Sequence, residues 1–365
     1  MLKKIEKIKT SIPLDKTDPV QMWIEEWGNQ LLIRSENTDG QEGWGEILTA
    51  AGNSSTPYEA ILDVLIDQIL TSDENNIKEL WNKMRRLTFS GGYGITTGAI
   101  SGVDISLWDL FSRKIGMPLS NILGKRKSAV NRYASLSRYS DPEKAAAAVI
   151  RLFTEGYSSI KLHQSWFDTL DTIKIIRKNI GYELELMADL NCSMDFETAR
   201  EFAHNVSKFE LKWIEEPIWP PDDFMSLTKL NKIVPVAAGE NFFSIFDFKR
   251  LLENDSLSYY QPDVAKIGGV TPMVEIMGLL KAYGASLALH NRPHNGWIGI
   301  ITSANIACSF DGPVLVETPP NEIPSLFSFD GEMNKKSITP GGNGIGIRPT
   351  GNLPAPKNTK LLKFH

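Results

Sequence analysis

Between Ser159 and Glu317, short apolar runs end again and again in one ionisable residue. They are Ile160-Lys161-Leu162-His163, Leu186-Met187-Ala188-Asp189, Trp213-Ile214-Glu215, Val236-Ala237-Ala238-Gly239-Glu240, Tyr260-Gln261-Pro262-Asp263, Leu287-Ala288-Leu289-His290 and Leu315-Val316-Glu317. Three consecutive ends, Asp189, Glu215 and Glu240, are carboxylates. One such acid alone is equally well explained by an ordinary salt bridge. Three brought together repel one another strongly unless a cation neutralises them. An all-oxygen set with room for waters and a substrate oxygen suits octahedral Mg²⁺ better than a soft metal.

The next two ends, Asp263 and His290, form a different pair. A carboxylate beside an imidazole fixes its tautomer and raises its basicity, as general acid–base chemistry requires. The chain has five histidines, and only His163 and His290 end such runs. His204 falls in a helical pattern, His365 is terminal, and His294 lies in the loop after the His290 run. Lys161 and His163 stand two apart, so on a strand they share one face. Lys161 there either holds a substrate carboxylate or acts as a base. Lys266 and Glu317 extend the polar set, or pair ionically with their neighbours. Asn191 and Asn241 closely follow two of the acids as candidate donors to substrate or to those acids. Arg292 and Trp297, past His290, are candidate substrate-facing side chains.

These residues need elements that bring them together. Their spacing, 23 to 28 residues from Lys161 onward, is the length of a strand, a loop and a crossover helix. Consecutive βα units closed into a barrel gather their strand ends on one face, where chemistry on that fold occurs. Val130–Ala134 is a candidate first strand, and Pro142–Glu155 a helix capped by Ser140 or Asp141. Later helices are expected at Thr169–Asn179, Asp195–Lys208, Asp222–Asn231, Ser244–Asn254 and Gly269–Tyr283. Residues 1–125 lack this rhythm. Strands at Leu2–Ile12, Gln30–Glu36 and Gly43–Leu48, then helices at Tyr58–Leu70, Ile77–Leu87 and Gly98–Ile115, suggest an α+β domain. Ser72 or Asp73 is the expected cap of the second helix. The loops Ser11–Gln21 and Ala50–Pro57 are either lids over the barrel mouth or plain connections. The expected organisation is an α/β chain: an α+β domain over 1–125, a barrel over 126–320, and a segment over 321–365 that returns to the first domain.

The bulk composition is that of an ordinary soluble globular protein, and 365 residues suit a barrel plus a second domain. A net charge of −5 gives no support to nucleic-acid or anionic-membrane binding, and no apolar run is long enough to span a bilayer. Cys192 and Cys308, with no CxxC spacing, form neither a disulfide framework nor a thiolate site, so a reduced cytoplasmic setting is expected. The Gly-rich stretches at 267–270 and 341–344 match no phosphate-binding fingerprint.

The sequence resembles the enolase superfamily, and within it the mandelate racemase subgroup. The resemblance rests on Ser101-Gly102-Val103-Asp104-Ile105-Ser106-Leu107-Trp108-Asp109-Leu110, Ile214-Glu215-Glu216-Pro217, Gly239-Glu240-Asn241 and Pro262-Asp263-Val264-Ala265-Lys266-Ile267-Gly268-Gly269. It implies a capping domain before a modified TIM barrel, (β/α)₇β. It also implies Mg²⁺ on Asp189, Glu215 and Glu240, a His290–Asp263 dyad, Glu317 on the substrate carboxylate, and a homo-oligomer between dimer and octamer. Many members carry Lys-x-Lys on the second strand, whereas this chain has Lys161-Leu162-His163. The leading expectation is an Mg-dependent acid-sugar dehydratase, acting on a small carboxylate with His163 or His290 as base. A racemase or epimerase acting α to a carboxylate, and a non-catalytic barrel scaffold, are the alternatives.

Overall fold

The strands Leu2–Ser11 (β1), Asn29–Asn37 (β2) and Glu42–Ile47 (β3) pair antiparallel in the order β1-β2-β3. In the turn between β2 and β3, Asn37 Oδ1 accepts from the N–H groups of Asp39 and Gln41, both at 3.0 Å. Such side-chain-to-backbone bonding is why Asn favours turns. The structure, a computed structural model, describes residues 1–12, 28–49, 54–139, 141–292, 296–351 and 353–356. Most of the two loops expected over the mouth, together with His294, Ser140 and His365, therefore lies outside the described residues.

Three helices cover the sheet: Thr56–Ile69 (α1), Ile77–Leu87 (α2) and Ile95–Lys114 (α3). The α2 N-cap is Asn76, not Ser72 or Asp73. Asp73 instead closes the preceding turn, accepting from Asn75 N at 3.0 Å. Helix α3 is buried on most sides and lies almost on the backbone of β3. A Cβ at Gly45 would stand 2.0 Å from the Gly102 carbonyl oxygen, so only glycine permits this approach.

After the short helix Leu119–Ile122 (α4), eight strands run parallel. They are Val130–Arg138 (β4), Ser159–His163 (β5), Glu185–Asp189 (β6), Trp213–Glu215 (β7), Val236–Ala238 (β8), Tyr259–Tyr260 (β9), Ser286–Leu289 (β10) and Val314–Thr318 (β11). Each pairs with the next, and β11 closes on β4 with Glu317 opposite Tyr133. The seven connecting helices are Pro142–Thr154 (α5), Trp166–Ile180 (α6), Phe196–Val206 (α7), Phe224–Asn231 (α8), Ile245–Glu253 (α9), Val270–Ala282 (α10) and Trp297–Ser309 (α11). This is the expected (β/α)₇β barrel. Asp141 caps α5, accepting from Glu143 N at 2.9 Å and Lys144 N at 3.3 Å. Helix α11 was not expected: Trp297 through Cys308 are all buried, so it has no polar face and no readable period.

The C-terminal part pairs Phe327–Phe329 (β12) with Ile347–Pro349 (β15), around a hairpin of Glu332–Met333 (β13) and Ser337–Thr339 (β14). It reaches the first sheet where Thr10 Oγ1 and Ser11 N donate to Pro354 O at 2.8 and 3.1 Å. It also lays β14 antiparallel on β4, extending the barrel sheet. No described helix is long and apolar enough to cross a membrane.

Two glycines test this packing. Gly45→Ala must push α3 off the sheet, and it should cost about 1–3 kcal/mol or more, read as a lowered urea midpoint. Gly278 lies inside α10 with nothing within 4 Å of an added Cβ. Gly278→Ala should therefore raise stability by about 0.5–1 kcal/mol in the same experiment.

Candidate active site

Side chains alternate along a strand, so residues two apart share the barrel interior. Stepping back two residues from the polar ends gives Met187, Trp213, Ala288 and Leu315, which cluster with Tyr133, Ala237 and Tyr259 as an apolar floor. Trp213 packs at 4.8 Å from Tyr259 and edge-on at 5.3 Å from Tyr133, measured between ring centroids. The polar layer rests on this floor. Parallel register sets His163 beside Asp189, and Asp189 beside Glu215.

Lys161 stands at the centre, fully buried. Its Nζ lies 2.6 Å from Glu215 Oε1, 2.8 Å from Glu317 Oε1 and 3.2 Å from Asp189 Oδ2. Burial pulls the ammonium pKa down, but these three carboxylates outweigh it and hold the group well above its usual range. Asp189 feels the opposite: burial raises its carboxyl, yet Lys161 and His163 bring it well below normal. Glu215 Oε2 accepts from Gln261 Nε2 at 2.6 Å and Trp213 Nε1 at 3.0 Å.

Both histidines have both ring nitrogens engaged. His290 Nδ1 is 2.6 Å from Asp263 Oδ2, and its Nε2 is 3.2 Å from Glu240 Oε2 and 3.9 Å from Glu317 Oε2. Burial opposes a charge on this ring, but Glu240, Glu317 and Asp263 lift it to about 10. His163 Nδ1 lies 2.8 Å from the Leu136 carbonyl, and its Nε2 lies 2.7 Å from Asp189 Oδ2.

The remaining predicted residues mostly support the acids. Asn191 donates to Asp189 Oδ1 from both its backbone N and its Nδ2, each at 2.9 Å. Lys266 reaches Glu240 Oε2 at 3.0 Å and Asn241 Oδ1 at 2.9 Å, and Asn241 Nδ2 donates to Glu216 Oε2 at 2.6 Å. Lys266 and His290 oppose the burial of Glu240 and bring its carboxyl down to about 2. Arg292 and Trp297 are corrected. Trp297 is 1% exposed within the main apolar core, as the first residue of the all-buried α11. The buried Arg292 guanidinium donates to Asn29 O at 3.2 Å and Thr49 Oγ1 at 3.5 Å, tying the barrel to the first sheet.

Sequence reading missed several members. Gln261 sits two residues before Asp263 and continues the inward alternation from Tyr259, a signal that was available. Tyr133 donates to Glu317 Oε2 at 3.3 Å from the middle of the first barrel strand, well before its charged end at Arg138. Glu216, beside Glu215, accepts from Cys192 Sγ at 3.3 Å. Arg138 Nη2 donates to Asn191 Oδ1 at 2.7 Å.

The donor set fits a hard divalent cation. Among the described residues, four buried acids (Asp189, Glu215, Glu216 and Glu317) and the partly exposed Glu240 face two ammonium groups, Lys161 and Lys266. Glu216 is pushed to about 7 by burial and by the Glu240 charge, and its Oε1 has no hydrogen-bond partner among the described residues. In the present side-chain arrangement, no three His, Cys, Asp or Glu groups among the described residues are gathered to hold one ion. Lys161 lies between Asp189 and Glu215, so the negative charge is only partly compensated.

Comparison with known proteins places this geometry. Residues 144–352 match the enolase C-terminal domain-like family, and residues 5–124 match the mandelate racemase/muconate lactonizing enzyme N-terminal domain. The chain is 30% identical over 288 residues to an arabinonate dehydratase of Saccharolobus solfataricus, covering 76% of each. Its fold matches the 3,6-anhydro-D-galactonate cycloisomerase of Zobellia galactanivorans with a TM-score of 0.84 and 25% identity, over 96% of this chain and 97% of that one. It also matches the L-talarate dehydratase of Polaromonas sp. JS666, solved with Mg and L-glucarate, with a TM-score of 0.81 and 22% identity over 96% of each. With both domains matched, and a mouth lined by the acids and histidines that its strand ends supply, the chain belongs to the enolase superfamily, in its mandelate racemase/muconate lactonizing enzyme subgroup.

Proposed function

We propose that the protein is an Mg-dependent acid-sugar dehydratase, taking an aldonate or aldarate to a 2-keto-3-deoxy acid. The observation that carries this reading is the 2.6 Å His290–Asp263 pair, which faces the same mouth as Lys161 and the acids of β6, β7 and β8. The 30% identity to an arabinonate dehydratase supports it. Asp189, Glu215 and Glu240 would hold Mg²⁺, which when bound supplies Lewis-acid polarisation of the substrate carboxylate.

The side chains divide the remaining work. Lys161, held charged, offers an ammonium to the carboxylate as it gains electron density, a gain realised mainly in the transition state. His163 and His290 stand on the second and seventh barrel strands, on opposite sides of the mouth. Leu136 O orients the His163 ring, whose Nε2 takes the proton α to the carboxylate. The C–H electron pair passes into an enediolate. Asp263, Glu240 and Glu317 keep a proton on His290, which passes from Nε2 to the β-hydroxyl as the C–O bond breaks and water leaves. The enol product then tautomerises to the ketone. Asn191 and Asn241 orient the acids, and Lys266 balances the charge of Glu240.

A screen of aldonic and aldaric acids with Mg²⁺, read as semicarbazone absorbance, should return a hit that EDTA abolishes. His290→Asn should lower dehydration about 10²–10⁴-fold while α-proton exchange in D₂O persists, and His163→Asn should lose both. Exchange with every hydroxyl retained in the wild type would instead make the protein an epimerase. Neither exchange nor keto acid across the library would favour the scaffold.

Lys161 also makes a stability prediction. Lys161→Met strips the shared cation from Asp189, Glu215 and Glu317, so the variant should lose about 3–5 kcal/mol at neutral pH. Asp189 and Glu317 have depressed carboxyls in the folded wild type, whose stabilisation is lost as pH falls through the folded values. The gap between variant and wild type in urea unfolding should therefore narrow on acidification.

A further inference from the structure

Asp263 and His290 do not sit where strand pairing alone would hold them. β9 is only Tyr259–Tyr260, and its last ladder bond runs from Gln261 N to Ala238 O, two residues short of Asp263. His290 lies one residue past the end of β10. Asn291, next to His290, is held within the barrel, its N donating to Glu317 Oε2 at 3.3 Å and its Oδ1 accepting from Ser303 Oγ at 2.7 Å. Further bonds to both segments come from the first domain.

The segment after Asp263 is bonded along its length to that domain. Leu48 N donates to Ala265 O at 3.4 Å, and Ala265 N donates back to Asp263 Oδ1 at 2.7 Å. Gly268 N donates to Ser101 Oγ at 2.8 Å. Asp104 then accepts from Thr271 N at 2.9 Å and Thr271 Oγ1 at 2.6 Å, in the first turn of α10. Gly269, at φ +99°, would put a Cβ 2.3 Å from Asp104 Oδ2, so its side-chain-free backbone admits that carboxylate. On the segment after His290, Glu46 Oε2 accepts from Gly299 N at 3.0 Å in the first turn of α11.

The first N–H groups of any helix lack partners within it. In the barrel, α5, α7, α8 and α9 satisfy theirs locally, from the side chains of Asp141, Asp195, Asp223 and Ser244. Helices α10 and α11 have glycine N-caps, Gly269 and Gly296, which carry no side chain to do so. Their acceptors are Asp104 and Glu46, which stand 1% exposed or less. Burying a carboxylate is costly unless it is hydrogen-bonded, so these contacts are not incidental surface pairs. The two helices capped from outside the barrel are the two that follow Asp263 and His290.

We propose that Glu46 and Asp104 are positioning residues. Acting from the first domain through the N-termini of α11 and α10, they hold His290 and Asp263 in the contact that acid–base chemistry needs. The proposal rests on the dehydratase reading for its kinetic consequence, though not for its structural one. Small displacements of an oriented acid–base pair are expensive, because the reacting groups must meet in a narrow geometry.

The test compares Glu46→Gln, Asp104→Asn and Thr271→Val with Asp109→Asn in the full-length protein. Asp109 is equally buried on α3, but it bonds Trp44 N and Ile345 N, away from the pair. Two readouts are taken: kcat and KM on the acid found by the screen, and the Nδ1–H resonance of His290 in histidine-labelled protein, assigned by its loss in His290→Asn. For Glu46→Gln and Asp104→Asn, kcat should fall about 10-fold with KM little changed, and the His290 resonance should shift or broaden. Thr271→Val removes the Oγ1 bonds to Asp104 and from Trp108 Nε1 but keeps the backbone N bond to Asp104. It should therefore show the same changes in smaller measure even if the acid variants do not fold. Asp109→Asn should lower the unfolding midpoint and leave both readouts in place. Folded variants that keep wild-type kcat and an unmoved resonance would overturn the proposal, as would Asp109→Asn moving both equally. If the wild type dehydrates no acid, the functional reading fails, while the resonance still decides the positioning role.

Discussion

The structure turns on a lysine buried among acids. Lys161 has no exposed surface, and Asp189, Glu215 and Glu317 reach it from β6, β7 and β11. An ammonium would not survive at the bottom of a barrel without them, and it opposes the burial that penalises their charges. The outcome leaves Asp189 and Glu317 below, and Glu215 still well above, the usual carboxylate range. One cation does not balance these three acids, and nearby Glu216 is lifted to about 7, first by burial and then by the Glu240 charge. On the proposed function, the residual negative charge would draw a divalent cation to the mouth, and with it a substrate that brings its own oxygens.

Much of this was legible in the sequence because a barrel repeats one rule. The period located the strands, and parity placed Lys161 with His163 and each polar end on the inner face. The same parity would have found Gln261 and the floor residues Met187 and Trp213. It failed where the rule carries no information. Helix α11 is apolar on every side, so Trp297 read as an isolated aromatic rather than as a core residue. Arg292 looked like a substrate ligand because a cation after a catalytic run invites that reading. Its partners, Asn29 and Thr49, lie some 250 residues earlier in the chain, and no local pattern announces a contact over that distance.

The motif on α3 shows the same limit from the other side. Ser101, Asp104 and Asp109 helped to identify the family, yet their types alone did not say why they should be there. In the structure each is an acceptor for another part of the chain. Ser101 takes Gly268 N, Asp104 takes Thr271, and Asp109 takes Trp44 N and Ile345 N. Why a buried helix carries polar side chains at these positions becomes intelligible only when its neighbours are known. Gly102 belongs to the same logic, since β3 crosses α3 too closely for side chains.

The two halves of the mouth are thus secured by different means. Asp189 and Glu215 are ladder-paired in adjoining strands, so the sheet itself sets their separation. Asp263 and His290 lie beyond the last residues of β9 and β10, on segments that bond both within the barrel, through Asn291, and to the first domain. On the proposed reading, cation-binding geometry would be encoded within the barrel, whereas the His290–Asp263 pair would also depend on contacts between domains. Changes in the first domain would then affect proton transfer before they affected the acids of β6 and β7. On that proposal a domain outside the barrel would also tune the chemistry at its strand ends, because Asp263 and His290 lie past the last residues of β9 and β10.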